Sequence, residues 1–201
     1  MSFKDLKRNY IVETAKKLFL ASSISEITIK DISSVSGIGE ATVYRYFETK
    51  ENLAIAVSLS IQQEILNVPQ SEEPRTGLEQ IEDFFNLFKN IFVNHKDYFK
   101  FIAEFDTLYL NNIKNKDTKE YSLSLDLFYE LFKNSYKKGL EDKSIKEVKN
   151  IDLFYYTSTH SLLELCKKLA STDSSLKQDK EVRKIDEIEY LISLFISVLK
   201  A

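Results

Sequence analysis

The chain has little of what usually punctuates or cross-links a protein: one cysteine, two prolines, four glycines and no tryptophan in 201 residues. A lone Cys166 excludes an internal disulfide framework, leaves no thiol cluster for zinc, and fits a reducing compartment. With so few helix breakers, apolar residues recurring at the helical period predict an all-α protein. No charged-then-apolar leader opens the sequence. The longest apolar stretch without a charge, Tyr190 to Leu199, is well short of the roughly 20 residues needed to span a bilayer. The expectation is a soluble, cytoplasmic protein with no membrane partner. Two distant histidines and one cysteine build neither a metal cluster nor a nucleophile–base pair, so neither cofactor nor catalysis is expected.

The composition that is present, 43% hydrophobic and 29% charged, is ordinary for a globular chain. A net charge of −3 argues against indiscriminate coating of nucleic acid. Its distribution is uneven: residues 1–50 hold eight Lys and Arg against six Asp and Glu, a surplus of +2, which leaves −5 for the remainder. The sign favours DNA at the N-terminal end.

Helices are expected over Lys4–Ala21, over a short segment capped by Thr28, and over Ala41–Phe47 and Lys50–Leu66. In the first, Leu6, Tyr10, Ile11, Ala15, Leu18 and Phe19 form one apolar face. Thr49 caps the fourth helix with an incomplete capping box, because Asn52 stands where Glu or Gln would complete it. Five more helices follow over Leu78–Asn94, Tyr98–Leu110, Lys119–Lys138, Ile151–Ala170 and Val182–Lys200, about nine in all, with Gly139 as a C′ residue. Asn67–Thr76 reads as a loop and Ser171–Lys180 as a polar link.

Residues 28–47 combine a capped short helix, a turn containing Gly37 and Gly39, and a second short helix, at the spacing of a helix-turn-helix. Ile29, Ile32, Val35, Ile38 and Val43 are expected to lock the pair from inside. Glu40, Thr42, Tyr44, Arg45 and Tyr46 are left with no apolar face to bury them, and the start of that second helix would meet base edges in the major groove.

The run Ile-Ser-Ser-Val-Ser-Gly-Ile-Gly-Glu-Ala-Thr-Val-Tyr-Arg-Tyr-Phe-Glu-Thr-Lys-Glu-Asn-Leu, residues 32–53, resembles the signature of TetR-type regulators. Ile11, Ala15, Leu18, Phe19, Ile24, Thr28, Ile29 and Ile32 also match in type and spacing, so the resemblance covers the first quarter of the chain. It implies phosphate contacts at Thr42, Tyr44, Tyr46 and Lys50, which set affinity and register rather than sequence choice. By the same resemblance Thr28 and Lys30 stand at the DNA, Lys30 placed for a phosphate or a guanine, and Glu40 and Ala41 sit where the recognition helix enters the groove. Glu40 departs from the pattern, and as an acceptor from a cytosine amine it would read sequence. Ser23 and Ala41 stand where glycine is frequent.

The expected architecture is a three-helix DNA-binding domain over residues 1–50 and a larger helical ligand-binding and dimerisation domain over 51–201. Rings concentrate in the central helices, where most must be core, though bulky side chains on converging helices also readily leave a cavity. The pocket is expected among Phe88, Phe92, Phe101, Phe105 and Tyr109 on one side of the sequence and Phe128, Phe132, Tyr156 and His160 on the other. Glu104, Asp106, Glu130 or Glu164 facing those rings would favour a cation. The last helix is apolar nearly all round, so a homodimer is expected through Ser158, Ser161, Ile192, Phe195, Ile196 and Leu199. Together these features predict a ligand-responsive repressor that binds a palindromic double-stranded operator as a dimer, with an unidentified small-molecule effector. A helical enzyme and a ligand-free dimeric DNA-binding regulator are the alternatives.

Overall fold

The computed structural model describes residues 2–67, 75–110, 118–171 and 181–201. Among them the chain forms nine α-helices: α1 (Phe3–Ala21), α2 (Ile29–Ser36), α3 (Glu40–Phe47), α4 (Lys50–Leu66), α5 (Gly77–Asn94), α6 (Lys96–Phe105), α7 (Thr118–Glu141), α8 (Ile151–Ser171) and α9 (Lys184–Leu199). A π-helical turn, Asp106–Leu110, follows α6 directly. Most of the expected Asn67–Thr76 loop and Ser171–Lys180 link lies outside the described residues.

Short of proline and glycine, the chain starts α1, α2, α4 and α5 with hydroxyl side chains. Ser2, Thr28 and Thr76 each close a complete capping box, with Asp5, Asp31 and Glu79 as the reciprocal carboxylates. Thr49 caps α4 by accepting from the Asn52 N–H alone, as the missing acid at position 52 requires.

The chain divides into two compact units, Met1–Asn67 with Lys100–Ser124, and Val68–Phe99 with Leu125–Ala201. The first unit packs α1 against α2 and α4. Its core holds Ile11, Ala15, Phe19, Ile24, Ile32, Val43, Phe47 and Leu53, and Phe101 stacks on Phe19 with ring centres 6.3 Å apart. The second unit buries one cluster, in which Phe84, Phe85 and Phe132 of α5 and α7 meet Tyr155, Leu162, Ile188 and Ile192 of α8 and α9. Its C-terminal end is pinned by the Lys146 N–H donating to the Leu199 carbonyl at 2.9 Å.

Three local expectations need correction. Leu6 and Tyr10 are 53% and 52% exposed, because the buried face of α1 begins only at Ile11. Val35 is 61% exposed. At about 100° per residue it lies about 120° round α2 from Ile29, outside the arc that α2 buries. Gly139 does not end α7, which runs on to Glu141. It is a glycine for space: a Cβ there would lie 2.3 Å from Ile145 Cδ1, and one on Gly77 would lie 2.0 Å from the Gly139 nitrogen.

Candidate nucleic-acid interface

The geometry of α2 and α3 follows from their ends. Thr28 Oγ1 accepts the Asp31 N–H at 3.2 Å, while the Asp31 carboxylate accepts the Thr28 N–H at 2.8 Å and its hydroxyl at 2.6 Å. These Thr28 hydrogen bonds hold the Asp31 carboxyl below its ordinary range, and the nearby charges of Lys30 and Lys50 add to the effect. Gly37 closes α2 at φ 67°, a left-handed conformation that glycine adopts freely. The Ile38 N–H donates to the Ser36 hydroxyl at 3.2 Å, and Gly39 then opens α3, its carbonyl accepting from Thr42 at 2.8 Å. Buried Ile29, Ile32, Ile38 and Val43 lock the two helices. A tight turn with Glu48 at φ 62° brings the chain straight from α3 into α4, so Lys50 heads a helix immediately after α3.

The outward side of this motif is polar and aromatic. Glu40, Ala41 and Arg45 are exposed, Tyr44 is 47% exposed, and Thr42, Tyr46 and Lys50 are half-buried. Thr28 and Lys30 are exposed at the start of α2, with the Thr28 hydroxyl already engaged in the cap. The Arg45 guanidinium lies 5.9 Å from the Tyr46 ring, and that of Arg8 lies 5.1 Å from the Phe47 ring. Arg8 therefore adds a ring-held cation beside α3. Such a surface, with hydroxyl donors along an exposed short helix and cations gathered at its C-terminal end, suits phosphates flanking a major groove.

The other expected site residues fall in several places. Phe92 and Phe132 are buried in the second unit's cluster, with Phe88 and Phe128 packed half-buried against it. Tyr156 is 50% exposed, its ring 5.9 Å from that of exposed His160. Phe101 and Phe105 are fully buried in the first unit, stacked at 5.9 Å. The Tyr109 side chain lies outside the described residues. An open groove of about 390 Å³ between α5 and α9 is lined by Asn86, Lys89, Ile192 and Ile196 among others, and by none of the expected pocket rings. Cys166 is buried, which pushes its thiol up to about 12 and leaves it inert at neutral pH.

Of the expected dimer residues, Ile192 and Leu199 are buried within their own chain, and the Ser158 hydroxyl donates back to the Phe154 carbonyl at 2.7 Å. Phe195 and Ile196 are half-buried and Ser161 is exposed. The apolar side chains that α9 leaves outside are Tyr190, Leu194 and Val198, a stripe at every fourth residue. Glu130 and Glu164 are exposed, and Glu164 pairs with Lys167 at 2.5 Å. Glu104 faces no ring cavity: its carboxylate accepts main-chain N–H groups of the α1–α2 turn. Among the described residues no group of three His, Cys, Asp or Glu could hold a metal, and no helix is long and apolar enough to cross a membrane.

Residues 11–57 match the model of the tetR family of bacterial regulatory proteins. The helix-turn-helix-type transcriptional regulator QacR of Staphylococcus aureus is 27% identical over 143 residues, covering 66% of this chain and 72% of its own. A TetR-family regulator from Agrobacterium tumefaciens superposes with a TM-score of 0.72 at 12% identity, over 98% of this chain and 99% of its own. RolR, solved with the ligand resorcinol, gives 0.62 at 14% identity, over 97% of this chain and 88% of its own. At such identities the two structures share the fold.

Proposed function

We propose that the chain is a DNA-binding transcriptional regulator of the TetR family of bacterial regulatory proteins and, on that premise, a ligand-responsive repressor binding a near-palindromic operator as a homodimer. The observation that carries the reading is the outward face of the α2–α3 motif, where Thr42, Tyr44, Tyr46 and Lys50 would hold phosphates. Glu40 and Ala41 would face bases, and Thr28 and Lys30 would flank them. The Lys50 ammonium and the N-terminal end of α4 reinforce each other at one phosphate.

A dimer is supported by the outward stripe of Tyr190, Leu194 and Val198 on α9, with Leu153 and Tyr156 exposed on α8. A two-fold partner would bury both faces. Leu194→Arg is expected to turn a dimer into a monomer in light scattering, and an unchanged dimer would move the interface elsewhere.

Ligand response is supported by the density of rings and by two buried polar groups without a protein partner, Gln62 Oε1 and the Ser124 hydroxyl. Both lie in the unit that holds Phe101 and Phe105. A flat ligand carrying a hydrogen-bond donor would satisfy these groups among the rings, and it would act by binding the DNA-incompetent state more tightly. RolR takes a small aromatic ligand on the same fold.

The test starts from duplexes recovered by a genome-wide pull-down. Lys50→Ala is expected to weaken binding on every sequence and to flatten the log–log salt dependence by about one per protomer. Glu40→Gln is expected to change the preferred bases instead. Unchanged affinity and slope in Lys50→Ala would remove the phosphate assignment. Small aromatic compounds carrying a hydrogen-bond donor are the first ligands to add, and compounds that stabilise the protein but never release the duplex would remove the sensing role.

A further inference from the structure

Glu104 makes side-chain hydrogen bonds to a part of the first unit far away in sequence. Its carboxylate accepts the main-chain N–H of Ile24 at 2.6 Å, eighty residues away, and that of Ser25 at 2.9 Å. The Ser25 hydroxyl donates to it as well, at 2.9 Å. Two consecutive N–H groups turned to one side form a small concavity suited to an anion, and here the anion is a side chain of the protein itself.

The turn that Glu104 holds decides where α2 begins. Ser23 organises it locally, its hydroxyl accepting the Glu26 N–H at 3.2 Å and its carbonyl the Ile27 N–H at 3.4 Å. Ile24 is fully buried and anchors the turn to the core. Those bonds leave the Ile24 and Ser25 N–H groups to Glu104. From the turn the chain passes directly to the Thr28 cap, then α2, and α3 is locked to α2 through Ile32, Ile38 and Val43.

Phe101, Glu104 and Phe105 share one face of α6, spaced three and four residues from Phe101. The two rings are buried, Phe101 against Phe19 of α1, so apolar contact holds this helix end to the unit. Apolar contact has no direction, however, and it does not fix the turn. The three hydrogen bonds of Glu104 do have direction.

We propose that Glu104 is a positioning residue for DNA recognition: it fixes the α1–α2 turn, and through it the placement of α2 and α3, from a segment far outside the motif. The inference rests on the DNA-binding reading above. In Glu104→Ala the ring contacts remain, so the protein folds while the turn is released. The Ile24 and Ser25 amides are then expected to exchange with solvent at least about tenfold faster, having lost their acceptor. Preference for the recovered duplex over a random one is expected to fall about tenfold, with an unchanged salt slope because no phosphate contact is removed. Glu104→Gln keeps one acceptor oxygen and is expected to fall between the two.

A loss of stability alone would leave duplex preference intact well below the melting temperature, so the preference separates positioning from mere support. A folded Glu104→Ala protein with slow Ile24 and Ser25 amides, or with full duplex preference, overturns the inference. Should Glu104→Ala not fold, a Glu104→Gln protein with undiminished preference overturns it instead. If the unaltered protein prefers no duplex, the DNA-binding reading itself fails, and the inference falls with it however the amides exchange.

Discussion

Phe132→Ala is expected to lower the stability of the second unit by about 3–5 kcal/mol, the range for truncating a buried ring. Phe132 is fully buried, and rings meet it from several sides: Phe84 at 5.4 Å, Phe85 at 6.0 Å, Tyr155 at 5.1 Å and Phe154 at 6.3 Å. Part of the loss is the transfer of the ring out of water, and part is the cavity left behind, because neighbours on two different helices, α5 and α8, cannot all collapse into it. Edge-on and tilted contacts with those rings add to the burial term. Phe132→Leu, which keeps most of the volume, is expected to cost about 1 kcal/mol. Urea unfolding followed by circular dichroism measures both, and an unchanged slope would show that only stability moved. A loss below about 1 kcal/mol in Phe132→Ala would mean that the ring borders open space rather than filling it.

That arrangement shows where sequence reading reaches its limit. The helical period identifies which side chains share a face, and hydroxyl residues mark where helices begin. The nine helices of the described residues, the Thr28 cap, the incomplete box at Thr49 and the helix-turn-helix were therefore all legible. Period does not identify the surface that a face meets. The rings of the central helices read as one group around a pocket, yet Phe101, stacked on Phe19 and Phe105, packs in the first unit while Phe92 and Phe132 pack in the second. Val35 and Leu6 fit an apolar pattern in sequence and are exposed, since a short helix buries only a narrow arc and α1 has no cover before Ile11.

Charged residues were the least legible of all. A lysine or glutamate on a helix reads as solvent-facing, because burial of a charge is tolerated only where partners wait for it. Such partners come from remote segments, and no local spacing announces them. Glu104 finds its donors eighty residues away, and Lys16 finds Ser60 and Glu64 at separations of 44 and 48. Only Glu13, one turn before Lys16, was a visible partner, and an i, i+3 pair of that kind usually marks an exposed face.

Lys16→Ala is therefore expected to destabilise the first unit by about 2–3 kcal/mol, whereas Lys16→Met should stay within about 1 kcal/mol of the unaltered protein. Lys16 is only 6% exposed, and its ammonium donates to Glu13 at 2.9 Å, to the Ser60 hydroxyl at 3.2 Å and to Glu64, joining α1 to the far half of α4. Alanine removes both the charge and the packed four-carbon stem, leaving a void and two carboxylates without their cation. Those carboxylates are 47% and 46% exposed and recover water, which keeps the loss below the roughly 3–5 kcal/mol of a fully buried pair. Methionine restores the volume, so the residual cost is that of two carboxylates left near each other at the protein surface.

Burial works against the Lys16 charge, but the hydrogen bonds it donates to Glu13 and Glu64 outweigh it and raise the pKa above the ordinary 10.5. A raised folded pKa gives a contribution that is complete below 10.5 and is lost as pH rises through the folded value. The gap between Lys16→Ala and the unaltered protein should consequently be constant through neutral and mildly alkaline pH and narrow only above that point. Urea midpoints of the three proteins across that range separate stem from charge. If methionine is as damaging as alanine, the cluster's worth is ionic and the packing argument fails; if neither substitution matters, α1 and α4 are held by their apolar contacts alone.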